Sequence, residues 1–420
     1  MFERTDLPEG PRVISARLPG TRSLSIAAYV LAGSRHERRE LSGVAHFMEH
    51  LTFKGTQAYP TTRAVSSAIE GVGGTSNAAT DRESTVYWVR LPAREAERAV
   101  GMLGELMVRP LLRDEDIAKE REIIVEEIRS YHDDASSYVY NVFDEAFFGD
   151  SPLGWEIAGD EDSVRGLPAD AIRAFWAQAY RPANIVVALA GDIDHPRAVD
   201  LVRAAFGTGN GVVPGWQPAP SVPVERFRLA HREGAQAHMV LGMPALPRDD
   251  PEQWTLELLN TVLGDGSSCR LFLCLREDEA LAYDVHSFPV DYADCGVLEI
   301  YAGVDPDDLA PALEALLREL AAVRDERISQ EELDKARNYA VGRLELRMEE
   351  SRNVASWLGV QEALHERVLD VDEVIEQLQA VTPARIQALA QRLIRDDALT
   401  LAVVAPPGAG GGLDEALRLP

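Results

Sequence analysis

The sequence predicts an α+β protein made of two homologous domains, each a mixed β-sheet covered by helices. Three observations point there. At 420 residues the chain exceeds what one hydrophobic core organises, since single cores stop growing at roughly 250 to 300 residues. Period-two segments such as Ser84-Thr85-Val86-Tyr87-Trp88-Val89 read as strands and stand between helix-period segments. The same order of elements also recurs in both halves. The stretch "STVYWVRLPAREAERAVGMLGELM…DEDIAKEREIIVEEI" gives a strand, a helix, an acidic turn and a longer helix. So does "GVLEIYAGVDPDDLAPALEALLREL…SQEELDKARNYAVGRL". With an offset of 216, Lys119 falls on Lys335 and Arg121 on Arg337.

Along the chain, Met1–Pro8 lacks a basic segment followed by an apolar one, and no uncharged apolar run reaches about 18 residues. Neither secretion nor membrane spanning is expected, and a cytoplasmic location follows. Residues 1–210 form the first expected domain. It ends in a helix over Arg197–Phe206, after which "FGTGNGVVPGWQPAPSVPV" is rich in glycine and proline and predicts an interdomain linker at 211–226. Residues 227–405 form the second domain, and "PPGAGGGLDEALRLP", 406–420, reads as a loose tail. Cys269, Cys274 and Cys295 have neither zinc-finger nor CxxC spacing, which fits buried residues in a reducing compartment.

Composition narrows the function classes. Hydrophobic content of 46% and charged content of 26% are ordinary for a globular protein. The net charge of −27 would repel a phosphate backbone, so nucleic-acid binding is not expected, whereas a cationic or peptide-like partner is compatible.

The chemistry-bearing stretch is "HFMEH", residues 46–50. Residues four apart on a helix lie on one face, so His46 and His50 can aim at one point. Glu49 stands at the edge of that point, poorly placed as a ligand and well placed to move a proton. Two nitrogen ligands, a carboxylate outside the ligand set and an open position are what a hydrolytic zinc site requires. H-x-x-E-H is the inverted form of the commoner H-E-x-x-H motif. A third ligand must come from elsewhere, and "KEREIIVEEI", Lys119–Ile128, offers Glu120 and Glu127 on one helical face with Ile123 and Ile124 between them. Acids on an apolar face are costly unless paired, and a metal with its histidines would pair them. Glu122 and Glu126 point elsewhere. At the matching positions of the second half stand Ala336 and Arg343, so the duplicate lacks these carboxylates.

Most of the chain resembles the inverzincin metallopeptidases related to pitrilysin, insulin-degrading enzyme and the β-subunit of mitochondrial processing peptidase. "SGVAHFMEHLTFKGT" resembles the family's zinc segment, and "EREIIVEE" resembles its acidic pair. The resemblance implies the processing-peptidase-like metallohydrolase fold, one zinc ion per chain on His46, His50 and Glu127, Glu49 as general base, and Glu120 orienting a ligand histidine. "GGTSNAATDRESTVYWVRL" is similar to the family's edge strand, which implies substrate held by β-strand addition at Asn77 and Ala78. "LGDGSSCRLFLCLREDEALAYDVHSF" resembles the segment whose arginine and tyrosine, here Arg270 and Tyr283, hold the substrate carbonyl and stabilise the tetrahedral intermediate. Cys269 replaces the usual small residue before that arginine, and Ala280 replaces the usual glycine before Leu281. The implied activity is zinc-dependent endoproteolysis of peptides or unfolded segments in a closed chamber completed by a homodimer. The alternatives are a silent scaffold, or a catalytic subunit that needs a different sister subunit.

Overall fold

Strand pairing explains why the two halves look alike. The computed structural model describes residues 2–213 and 215–420. In the first half, β1 (Glu3–Asp6), β2 (Arg12–Arg17), β3 (Ser23–Val30), β4 (Thr75–Thr80), β5 (Thr85–Pro92) and β6 (Ile185–Gly191) form one sheet in the order β1-β2-β6-β3-β5-β4. In the second, β7 (Phe227–His231), β8 (Ala237–Ala245), β9 (Ala282–Asp291), β10 (Gly296–Val304) and β11 (Thr400–Ala405) are ordered β7-β11-β8-β10-β9. Without β1 the two orders are the same. The β2/β6 and β7/β11 pairs are parallel, and the remaining corresponding pairs are antiparallel. The duplication expected from faint sequence likeness is therefore present in strand order and orientation.

The sequence of each strand fits its place. β6, "IVVALAG", and β11, "TLAVVA", are buried throughout, as strands covered on both faces must be. β4, "TSNAAT", pairs only with β5 and alternates exposed and half-buried residues, so it is a polar edge. No helix of the described residues is long and apolar enough to cross a membrane.

The compact units differ from the contiguous stretches 1–210 and 227–405. The first unit takes residues 1–128, 156–217 and 345–370, and the second takes 129–155, 218–344 and 371–420. Each half of the chain thus lends one helix to the other unit. Ser351–Leu364 packs on β2, β3 and β6, while Ala135–Phe148 packs on β7, β8 and β11. Residues 135–148 and 351–364 are related by the same offset of 216, so the exchange is reciprocal. Helical patterning alone could not reveal it, because an apolar helix face fits either sheet.

Three further expectations are corrected. The tail is not loose: Leu413–Ala416 is helical and Leu413 and Leu417 are buried in the second unit. Of the cysteines only Cys269 is buried, Cys274 and Cys295 being half-buried, and all three are free. On the acidic helix Asp114–Asp133, Ile124 is buried but Ile123 is 50% exposed, so the face carrying Glu120 and Glu127 is lined by Ile117, Ile124 and Ile128 instead.

The two exchanged helices meet their sheets through mirrored size complementarity. In the first unit a Cβ on Gly359 would stand 2.4 Å from the ring of Tyr29 on β3. In the second a Cβ on Gly242 of β8 would stand 2.2 Å from the ring of Phe143. Phe143 and Gly359 are 216 residues apart, so ring and gap have changed sides. Overpacking such a contact costs about 1–3 kcal/mol. Gly242→Ala is therefore expected to lower stability by about that amount, and adding Phe143→Leu to recover part of it. Guanidinium unfolding midpoints check this, and a neutral Gly242→Ala would show that the contact yields freely.

Candidate metal centre

The site is built in the first unit from the motif helix Val44–Thr52 and the acidic helix Asp114–Asp133. The motif helix starts abruptly. Its N-cap is Gly43, at φ 91°, where a side chain would be strained and a Cβ would lie 2.4 Å from the carbonyl oxygen of Ala158. Glycine offers no side-chain acceptor for the free N–H groups of the first turn. The buried carboxylate of Glu37 does this instead, accepting from the N–H of Gly43 at 2.8 Å and of Ala45 at 2.7 Å.

The loop that carries Glu37 is fixed to the turn after β4. Ser34 and Arg35 donate their backbone N–H groups to the carbonyls of Asp81 and Arg82, and the buried Arg35 pairs with Glu83 at 2.5 Å. A Cβ on Gly33 would be 2.1 Å from the Asp81 carbonyl oxygen, so the approach is as close as backbone allows. Motif helix and edge strand are consequently held as one block.

On the motif helix Val44, Phe47, Met48 and Leu51 face the core, which leaves His46, Glu49 and His50 half-buried on the other side. The imidazole rings lie 4.6 Å apart, inclined by 64°. Glu127 reaches both: its Oε2 is 3.3 Å from His50 Nε2 and its Oε1 is 3.8 Å from His46 Nε2. Glu120, two turns earlier, meets the opposite nitrogen of His50, with Oε2 3.3 Å from Nδ1, and its Oε1 is 2.7 Å from Lys54 Nζ. Glu49 faces a different partner, accepting a 2.7 Å hydrogen bond from the hydroxyl of Thr80.

Electrostatics separates the two histidines. Burial and the neighbouring His50 push His46 down to about 4, against the pull of Glu127, so near neutral pH it offers a lone pair. Burial also acts to lower His50, but hydrogen bonds to Glu120 and Glu127 outweigh it and lift the ring to about 9. Glu120 is held below the usual carboxylate range because His50 and Lys54 overcome the effect of burial. Glu127 is held low chiefly by His50. Glu49 goes the other way, raised by burial although Thr80 opposes the shift.

These residues fit a metal ion. One ligand atom from each of His46, His50 and Glu127 lies within 4.8 Å of the others. With a metal in place of the Nε2 proton, Glu120 would hold the remaining proton on His50 Nδ1 and leave Nε2 facing Glu127 and His46, the usual way an outer carboxylate fixes a ligand tautomer. Two imidazole nitrogens and one carboxylate oxygen form a donor set typical of zinc. His46 Nδ1 is buried without a hydrogen-bond partner among the described residues, so the ring has no competing acceptor on that side.

Family models match both halves of the chain. Residues 12–161 match the description "Insulinase (Peptidase family M16)", and residues 166–339 match "Peptidase M16 inactive domain". The chain belongs to the insulinase, or M16, peptidase family. An uncharacterized zinc protease of Streptomyces coelicolor is 36% identical over 93% of this chain and 87% of its own. The uncharacterized zinc protease YmxG of Bacillus subtilis is 31% identical over 97% and 99%. Among solved structures, a protease from Helicobacter pylori superposes with a TM-score of 0.90 at 22% identity, covering 97% of this chain and 99% of that one. The M16 inactive-domain match runs from residue 166 into the second half as far as residue 339, and so takes in Ala336, which stands where Glu120 stands in the first; Arg343, in the place of Glu127, follows just after it. There Arg343 hydrogen-bonds Tyr339 at 2.8 Å, and Tyr339 hydrogen-bonds Asp265 at 3.2 Å, so a guanidinium supplies the cation.

The remaining residues singled out in the sequence are placed as follows. Asn77 and Ala78 lie on the free edge strand, with side chains on opposite faces, and Asn77 Oδ1 accepts from the N–H of Ala78 at 2.9 Å. Arg270 and Tyr283 have different partners. Arg270 is gripped by both carboxylate oxygens of Glu332, at 2.7 and 2.8 Å. The cation beside Tyr283 is Arg276, whose guanidinium carbon is 4.9 Å from the ring, and Tyr283 is 73% exposed. Ala280 has φ 55°, so the turn keeps the left-handed backbone that glycine would adopt without strain, at a cost of about 1 kcal/mol. Sequence reasoning missed Glu37, Lys54, Thr80 and Arg276. Lys54, Thr80 and Arg276 stood inside the quoted motifs, while nothing in the sequence marks a cap seven residues before its helix.

Glu37 generates a pH prediction. Burial raises its carboxyl to about 8, despite the two N–H donors. A folded-state value above the ordinary 4.5 means that the unfolded chain gives up this proton first. The stabilisation is therefore complete below about 4.5 and is lost as pH rises through 8. Glu37→Gln should flatten stability between pH 5 and 8 relative to the unmodified protein. Urea unfolding across that range checks it, and parallel curves would refute the assignment.

Proposed function

We propose that the protein is a zinc-dependent endopeptidase acting on peptides or unfolded segments, with one zinc ion per chain held by His46, His50 and Glu127. The observation that carries this reading is the convergence of those three side chains with Glu49 left outside the ligand set and bonded to Thr80. The curated relatives' names, zinc proteases, support it. Bound zinc supplies a Lewis acid that makes a water nucleophilic near neutral pH and polarises the scissile carbonyl.

The chain's own residues do the rest. Glu49, whose burial raises its proton affinity, takes the proton of the attacking water and passes it to the leaving amine. Glu120 keeps the proton of His50 on Nδ1. Substrate backbone pairs with the free edge of β4, exchanging the bond between Asn77 and Ala78 for its own carbonyl. For the polar pair offered to the substrate carbonyl we place Arg276 with Tyr283, because Arg270 is engaged by Glu332. Self-completion as a homodimer around a closed chamber, and a cytoplasmic location, are part of the same proposal.

Glu49→Gln is expected to retain zinc at the level of the unmodified protein and lose peptide hydrolysis by at least about a hundredfold, within the usual range for a general base. Zinc analysis and turnover of a mixed peptide library by the purified chain alone measure both. Substantial turnover by the variant would overturn the role of Glu49, and an inactive unmodified chain would favour a sister subunit or a scaffold. In the same assay Arg276→Lys should lower kcat more than Arg270→Lys; the reverse order would restore Arg270 to the role.

A further inference from the structure

We infer that Thr80 is a positioning residue for the general base, and that its hydroxyl couples the substrate-binding edge strand to the orientation of the Glu49 carboxylate. The inference rests on the reading of Glu49 as base and of β4 as the strand that receives substrate. Thr80 is the last residue of β4. Its hydroxyl donates to Glu49 Oε2 at 2.7 Å.

The surroundings leave Glu49 few other ways to be held. Its helix neighbours His46 and His50 are turned toward Glu127, and Glu120 is taken by His50 and Lys54. On the core side, Tyr87 and Tyr180 are buried and hydrogen-bonded to each other at 2.7 Å. A carboxylate on a three-torsion side chain sweeps several ångströms unless something fixes it, and misplacement of about 1 Å can cost a hundredfold in rate. Thr80 supplies that fix from a different element.

Alternation along β4 explains why this residue can do so. Thr75, Asn77 and Ala79 are exposed, whereas Ser76, Ala78 and Thr80 are half-buried, so the last three share the face turned toward the motif helix. The turn that follows Thr80 is clamped through the Asp81 and Arg82 carbonyls and Glu83 to the loop bearing Glu37. A strand added to β4 would rigidify the segment that ends at Thr80, so the hydroxyl is steadiest when substrate is in place. The predicted effect accordingly falls on kcat rather than KM.

Thr80→Val removes the hydroxyl and keeps the β-branched shape, while Thr80→Ser keeps the hydroxyl. With zinc content unchanged in both, Thr80→Val is expected to lower kcat about tenfold or more with KM within about twofold, and Thr80→Ser to remain within about threefold of the unmodified enzyme. Equal kcat for Thr80→Val, or a serine variant as slow as the valine one, would overturn the inference. A second measurement needs no activity. In the metal-free protein, Thr80→Val should shift the unfolding temperature in the unmodified background and shift it markedly less in a Glu49→Ala background. Equal shifts in both backgrounds would also overturn it. Failure of all hydrolysis by the unmodified chain alone would instead favour a sister subunit or a scaffold, leaving the thermal cycle to decide whether Thr80 holds Glu49.

Discussion

The candidate site depends on one imidazole held from both ends. His50 meets Glu120 through Nδ1 and Glu127 through Nε2, and those two carboxylates are two turns apart on a single helix. A ring contacted this way fixes both the translation and the rotation of the acidic helix against the motif helix. Lys54 neutralises the buried Glu120, without which a carboxylate at 3% exposure would be expelled or protonated. Once these contacts are made, His46 and Glu127 are brought near each other without further adjustment. The donor set is therefore a product of helix packing and forms no separate local motif.

Around this contact, side chains of one chemical type carry different tasks because their surroundings differ. Four glutamates serve the motif helix. Glu37 caps it, Glu120 fixes a ring nitrogen, Glu127 completes the donor set, and Glu49 faces Thr80 with its proton affinity raised by burial. Pairing with cations lowers Glu120 and Glu127, whereas burial raises Glu37 and Glu49. That divergence is what the proposed division into ligand and proton carrier would need near neutral pH. In the duplicate half the same architecture persists with Arg343 among Tyr339 and Asp265, so the fold does not require the donor set.

Much of this was legible in the sequence. Local spacing alone puts His46 and His50 on one face, and the seven-residue interval does the same for Glu120 and Glu127. Periodicity gives the strands and helices, and the offset of 216 relates the halves, since these are properties of short segments or of their repetition. The family resemblance joined the two distant segments into one site.

Tertiary structure decided what short segments cannot encode. Which sheet an amphipathic helix covers depends on shape at a distance, so the reciprocal exchange of 135–148 and 351–364, with the ring of Phe143 over Gly242 and of Tyr29 over Gly359, was invisible to pattern. Of two arginines six residues apart, only folding determines that Glu332 engages Arg270 while Arg276 stands beside Tyr283. The motif named the groups able to do chemistry. The carboxylate of Glu37, the ammonium of Lys54 and the hydroxyl of Thr80, each from outside the five-residue motif, determine where those groups point, because hydrogen bonds form between atoms that only the folded chain brings within 3 Å.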